Sequence, residues 1–220
     1  MARRAFSGAS AAPQPLLTAA AYGDIPALQK ELEKKNVRSN INTPDGAAMT
    51  ALLYATQNGF EDAAAFLMHH GATPNCANNL GATPLMYACE KRLSGAVEKM
   101  LTIGVDNINA QETSSGDTAL MKALRQDHGW AACRLLELGA RIDMTNKAGE
   151  TAAGIALECL NPRDYARFAD IIMRQQHERD AAAKAAHDKA VREASTLQRD
   201  IRIAPVLHLS LIHISEPTRR

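Results

Sequence analysis

The residue types that could carry chemistry in this 220-residue chain are scattered along it and do not gather. Cys76, Cys89, Cys133 and Cys159 lie 13, 44 and 26 residues apart, with no C-x-x-C pair. Zinc sites and disulfide frameworks need tighter or more regular spacing, so these read as reduced thiols serving as small core residues. His69-His70 is the densest imidazole pair. Adjacent helical residues point in different directions, which makes a poor metal site and a good polar helix end. His128, followed by Gly129 and Trp130, reads as turn chemistry before a packing aromatic. No serine or cysteine has a recognisable base partner, and neither a G-x-x-x-x-G-K-[ST] nor a G-x-G-x-x-G phosphate loop occurs. The expectation is no enzyme, no metal, no cofactor and no small-molecule ligand.

The bulk properties narrow the partners. A net charge of +1 gives no electrostatic case for nucleic acid or an anionic membrane. The longest stretch free of Asp, Glu, Lys and Arg, Ala63 to Cys89, holds two His, two Pro, three Asn and two Gly, which no lipid-facing helix would carry. Free cysteines and the lack of any N-x-[ST] site suggest an intracellular, cytoplasmic chain, with the nucleus also open. The basic, acid-free start Met1 to Ser10 reads as part of a disordered leader over 1–14, with an organellar presequence as the alternative.

What would position any binding residue is a repeat. Thr50-Ala-Leu-Leu-Tyr-Ala55, Thr83-Pro-Leu-Met-Tyr-Ala88, Thr118-Ala-Leu-Met-Lys-Ala123 and Thr151-Ala-Ala-Gly-Ile-Ala156 recur at intervals of 33, 35 and 33. Gly71, Gly104 and Gly139 repeat the same step behind the leucine-rich runs Phe66-Leu67, Val97/Met100/Leu101 and Leu135-Leu136. Two landmarks with one period mark a stack of supersecondary units. Within a unit, threonine caps a first helix and Pro84 takes its first position. A small alanine lets neighbours approach, and glycine ends the second helix. Asn75, Asn109 and Asp143 then lead into the next hairpin.

These phrases resemble the ankyrin repeat family, whose pattern is D-x-x-G-x-T-P-L-x-x-A, then L-L-x-x-G-A, then N. The resemblance implies an all-α solenoid of about five stacked helix-turn-helix units with hairpin tips over 15–173, three well formed and two degenerate ends. The first end runs from Leu16 with Leu28 and Leu32; the last contains Phe168, Ile171 and Ile172 and loses its leucine to Ala153. Departures are local: extra residues before Thr50, the insertion Thr113-Ser114-Ser115 at a hairpin tip expected to stand clear of the stack, and Asp127 in place of the inter-helix glycine. The family binds proteins through hairpin tips and the concave face of its first helices. Carried over by position, the tips here are Asn79, Leu80, Thr113, Ser114, Asp117, Lys147 and Glu150. The first helices add Gln57, Asn58, Glu90, Lys91, Arg125, Gln126 and Glu158. The expected molecule is a monomeric adaptor with one protein partner. The alternative is a targeting module of a larger enzyme, a kinase or ubiquitin ligase, with its C-terminal part missing.

Residues 174–208 alternate charge with alanine, and Lys189 stands one turn from Glu193, favouring a solvent-exposed helical extension. Large apolar residues are too rare for a strong coiled-coil seam, which leaves the start of an interaction helix as the other reading. Finally, Leu209-Ser-Leu-Ile-His-Ile-Ser-Glu-Pro-Thr-Arg219 looks like the conceptual translation of a transposon-based sequencing adapter. The expectation is that residues 209–220 are not part of the natural protein; the alternative is a genuine apolar tail, Leu207 to Ile214, with a polar end.

Overall fold

The computed structural model describes residues 14–34 and 40–212, with side chains as far as residue 193. Residues 1–13 of the leader expected over 1–14, and the end of the adapter-like stretch, residues 213–220, lie outside the described residues. The described residues form ten helices: α1 (Pro15–Tyr22), α2 (Ile25–Leu32), α3 (Ala51–Gln57), α4 (Glu61–His69), α5 (Pro84–Glu90), α6 (Ser94–Ile103), α7 (Ala119–Arg125), α8 (Gly129–Glu137), α9 (Ala152–Cys159) and α10 (Pro162–Ile212). Two compact units divide between Ile171 and Ile172.

In the first unit, α1, α3, α5, α7 and α9 are the inner helices, each packed on the next. Threonine starts four of them. The side chains of Thr50, Thr83, Thr118 and Thr151 accept hydrogen bonds from Leu53, Met86, Met121 and Gly154 N–H, at 3.2–3.3 Å. Each bond satisfies a donor that the first helical turn leaves open. The inner helices α3, α5, α7 and α9 have only seven or eight residues. Leu52, Leu85 and Leu120 are each 1% exposed, and Ala55, Ala88, Ala123 and Ala156 are 0% exposed. A larger side chain at those alanines would push the helices apart.

The outer helices end at Gly71, Gly104 and Gly139 with φ of 96°, 103° and 90°, so the glycine stops read from the sequence are real left-handed positions. The turn between the two helices of a repeat also needs positive φ. Gly23 and Gly59 supply it in the first two repeats, but Arg92 (φ 58°) and Asp127 (φ 49°) must adopt it in the next two. Asp127, the residue in place of the inter-helix glycine, thus takes the glycine's left-handed backbone, and Arg92 does the same.

Hairpins are joined edge to edge. Asn79 N–H donates to Ala47 O (3.2 Å), Thr113 N–H to Leu80 O (2.7 Å) and Lys147 N–H to Ser115 O (2.9 Å). The Thr113 hydroxyl adds a second bond to Leu80 O at 2.8 Å. The inserted hairpin residues thus do not stand clear of the stack; unpaired backbone groups on an extended edge are satisfied by the preceding tip. Behind the tips an asparagine ladder runs from repeat to repeat. The Oδ1 atoms of Asn42, Asn75 and Asn109 accept from Thr73, Asp106 and Arg141 N–H at 2.9, 3.0 and 2.8 Å.

The last repeat ends the stack. Its second helix is the start of α10, where Phe168 (1% exposed) and Ile171 are buried. Ala153, Gly154 and Leu157 take the positions that Leu120, Met121 and Leu124 fill one repeat earlier, and they are exposed. In the second unit α10 continues, with residues 181–193 all exposed. Lys189 and Glu193 approach to 3.9 Å, the one-turn pair read from the sequence.

Candidate protein-interaction face

Stacking at a near-constant period lines equivalent positions into rows. The last residues of α3, α5 and α7 place Gln57, Glu90 and Arg125 in one row, with Glu158 at the matching position of α9. Beside it run Tyr54, Tyr87, Lys122 and Ile155, and the hairpin bases add Asp45, Asn78, Glu112 and Asn146. The two latter rows interact. In the second repeat the Tyr54 hydroxyl donates to Asp45 Oδ2 at 2.7 Å. In the third, Asn78 Nδ2 donates to the Tyr87 hydroxyl at 3.1 Å. Asp45 and Asn78 also close their own hairpins: Asp45 Oδ1 accepts from Ala47 and Met49 N–H, and Asn78 Oδ1 from Leu80 and Ala82 N–H. Burial works against the Asp45 carboxylate, but the bonds from Tyr54 and the backbone outweigh it and lower its pKa. Burial, then the bond to Asp45, pushes the Tyr54 phenol up to about 12.

The fourth repeat makes the same tie with charge. Glu112 stands where the others have Asp or Asn, and Lys122 where the second and third repeats have Tyr. Lys122 Nζ lies 2.8 Å from Glu112 Oε2 and 2.9 Å from Glu90 Oε2. Burial opposes the charge on Lys122, yet the two carboxylates outweigh it and raise its pKa. Burial likewise opposes the Glu112 carboxylate, and bonds from Lys122 and Ser114 overcome it. Alongside, Arg125 pairs with Glu150 and stands 3.7 Å from Asp117. Asn146 Nδ2 bridges Asp117 Oδ1 (2.8 Å) and Glu150 Oε2 (2.9 Å). Together Tyr87, Glu90, Glu112, Ser115, Lys122 and Arg125 bound much of an open recess of about 400 Å³, which Ser114, Asp117 and Gln126 complete.

The residues expected to meet a partner now separate by what already holds them. Leu80 (51% exposed), Lys91, Gln126, Lys147 and Glu158 present exposed side chains. Asn58 is exposed, but its Nδ2 donates to Ala21 O at 2.9 Å, and Asn79 Nδ2 donates to Gly46 O at 3.3 Å. Gln57 Nε2 reaches the Tyr87 hydroxyl at 3.3 Å. Thr113 is tied to Leu80, Ser114 Oγ donates to Glu112 Oε1 at 2.6 Å, and Asp117 is only 8% exposed. Glu90, Ser114, Asp117, Arg125 and Gln126 are brought together at the recess. Sequence reasoning missed Glu112, Lys122, Tyr87 and Ser115. A signal existed for Lys122 alone, which the aligned threonine phrases set against Tyr54 and Tyr87.

Three of the thiols are held protonated by their surroundings. Burial raises Cys76 and Cys133 and pushes Cys89 up to about 12, which favours the protonated thiol in these three. Among the described residues no helix is long and apolar enough to cross a membrane.

A stack of capped helix pairs joined by hydrogen-bonded hairpins, with polar rows along its inner helices, defines a solenoid repeat protein. The chain belongs to the ankyrin repeat family: that family's sequence pattern, described as ankyrin repeats (3 copies), matches residues 16–112 and 71–146. It is also similar to the nuclear factor NF-kappa-B p105 subunit of Gallus gallus, at 30% identity over 122 residues. That match takes in 54% of this chain and 12% of the relative, so the chain spans about an eighth of that protein's length. Ankyrin repeats are generally protein–protein interaction modules, and this membership implies a protein partner.

Proposed function

We propose that this chain is a non-catalytic adaptor that binds a protein partner through its hairpin tips and the face of its inner helices. The observation that carries the reading is the division of labour on α3, α5 and α7. Their apolar residues are consumed by stacking, while Gln57, Glu90, Lys91, Arg125 and Gln126 project from the helix ends in register with the tips. Mixed charge on this face suits a polar protein surface better than a polyanion. The proposed setting is a cytoplasmic monomer.

The test is affinity capture with the full chain and with a Lys91→Glu/Lys147→Glu variant, both exposed positions. Circular dichroism should be unchanged, and a partner held by the wild type should be lost or weakened at least several-fold. Undiminished capture by the variant would remove the inner face from the account. A second reading is a targeting module within a longer enzyme such as a kinase or ubiquitin ligase. It draws on the small share of the p105 relative that the repeats cover. Sequencing the native locus across the codons for Ile203 to Arg220 separates the two. A frame that leaves the adapter-like sequence and continues into a catalytic domain favours the second.

A further inference from the structure

The recess between α5 and α7 carries charge that the fold does not require. The hairpin-to-helix tie is made by Asp45–Tyr54 and Asn78–Tyr87 in two repeats, but by Glu112–Lys122 in this one. Half-buried ion pairs are poor stabilisers, because desolvation consumes what the attraction returns. Charge kept at such a position is better accounted for by what it recognises. Resting on the protein-interaction reading above, we propose that the recess receives a lysine or arginine side chain of the partner.

Three features select a cation. The lining holds Glu90, Glu112 and Asp117 against Lys122 and Arg125, an excess of one negative charge. Both lining cations are already committed, Lys122 between Glu90 and Glu112, and Arg125 between Glu150 and Asp117. Glu90 Oε1, by contrast, meets Lys91 Nζ only at 3.8 Å, beyond hydrogen-bonding distance, and its side chain is 33% exposed. A carboxylate oxygen at the rim is thus left without a hydrogen bond, the group that an incoming ammonium or guanidinium would meet. An acidic side chain placed there would meet three carboxylates and two cations whose charge is spent.

The experiment is a 1H–15N titration of the full chain with N-acetyl-arginine methylamide and N-acetyl-lysine methylamide, with N-acetyl-glutamate methylamide as the control. Saturable shifts at Tyr87, Ser115, Lys122 and Gln126 are expected with the cationic probes. Glu90→Gln should weaken them about fivefold, the scale of one partly exposed ion pair. Asp62→Asn, on outer helix α4, should leave them unchanged. Equal shifts with the glutamate probe, or shifts insensitive to Glu90→Gln, would overturn the proposal. So would a partner captured equally well by wild type and Glu90→Gln. The broader interaction reading survives that last result if Lys91→Glu/Lys147→Glu still loses the partner.

Discussion

Single residues decide how one repeat differs from its neighbours, and the Glu112–Lys122 pair shows it best. Lys122→Tyr alone leaves Glu112 half-buried without its cation and should cost about 1–3 kcal/mol, the penalty for stranding a charged partner. Glu112→Asn with Lys122→Tyr installs the groups that Asn78 and Tyr87 use, and should recover more than half of that loss. Urea unfolding of the three variants and the wild type forms the double-mutant cycle that reads the coupling. A second residue, His128, makes stability depend on pH. It is 4% exposed, its Nε2 lies 2.9 Å from Ser94 Oγ, and the Cys89 carbonyl and Glu61 also face it. Burial first, then the Arg92 charge, lowers its pKa in the folded state. The unfolded chain therefore binds a proton that the folded chain resists. Its contribution is complete above the ordinary histidine pKa of about 6.5 and fades as pH falls below it. Urea midpoints at pH 7.5 and 5.5 should show this loss, and His128→Asn should shrink the difference.

At the scale of elements, caps and turns set the stability of each helix pair. Thr83→Ala removes the bond to Met86 N–H and should cost about 1 kcal/mol. Arg92 holds a left-handed turn that Gly23 and Gly59 hold without strain, so Arg92→Gly should stabilise by up to about 1 kcal/mol. That gain is offset in part by the lost bond from Arg92 to Gln126 O. Asp127→Gly should gain less, because Asp127 Oδ1 accepts from both Asn161 N–H and Asn161 Nδ2 at 3.2 Å. Thermal melts of the two glycine variants give the order. Much of this level was legible in the sequence: the threonine caps, the glycine stops and the alanine contacts all follow from local chemistry repeated at one period. The departure at Asp127 was legible for the same reason. The burial of Asp117 and the tie from Glu112 to Lys122 were not, since both depend on how a hairpin folds back over a helix. The bonding of Thr113 to Leu80 was hidden too, because it joins residues one whole repeat apart.

For the whole molecule, the first unit gains its stability from neighbour-to-neighbour burial. Phe168 and Ile171, on the first turns of α10, close its last repeat, whereas residues 181–193 are exposed throughout. A chain ending at Asn161 should therefore lose several kcal/mol against one ending at Gln175, which keeps the buried aromatic, when both are unfolded in urea. The account's central claim is that the inner helices and hairpin tips are the binding face. Hydrogen–deuterium exchange on the chain with and without its captured partner tests this most directly. Added protection is predicted at residues 78–82 and 112–117 and at the C-terminal ends of α5 and α7, with α4, α6 and α8 unchanged. Protection confined to α4, α6 and α8 would contradict it.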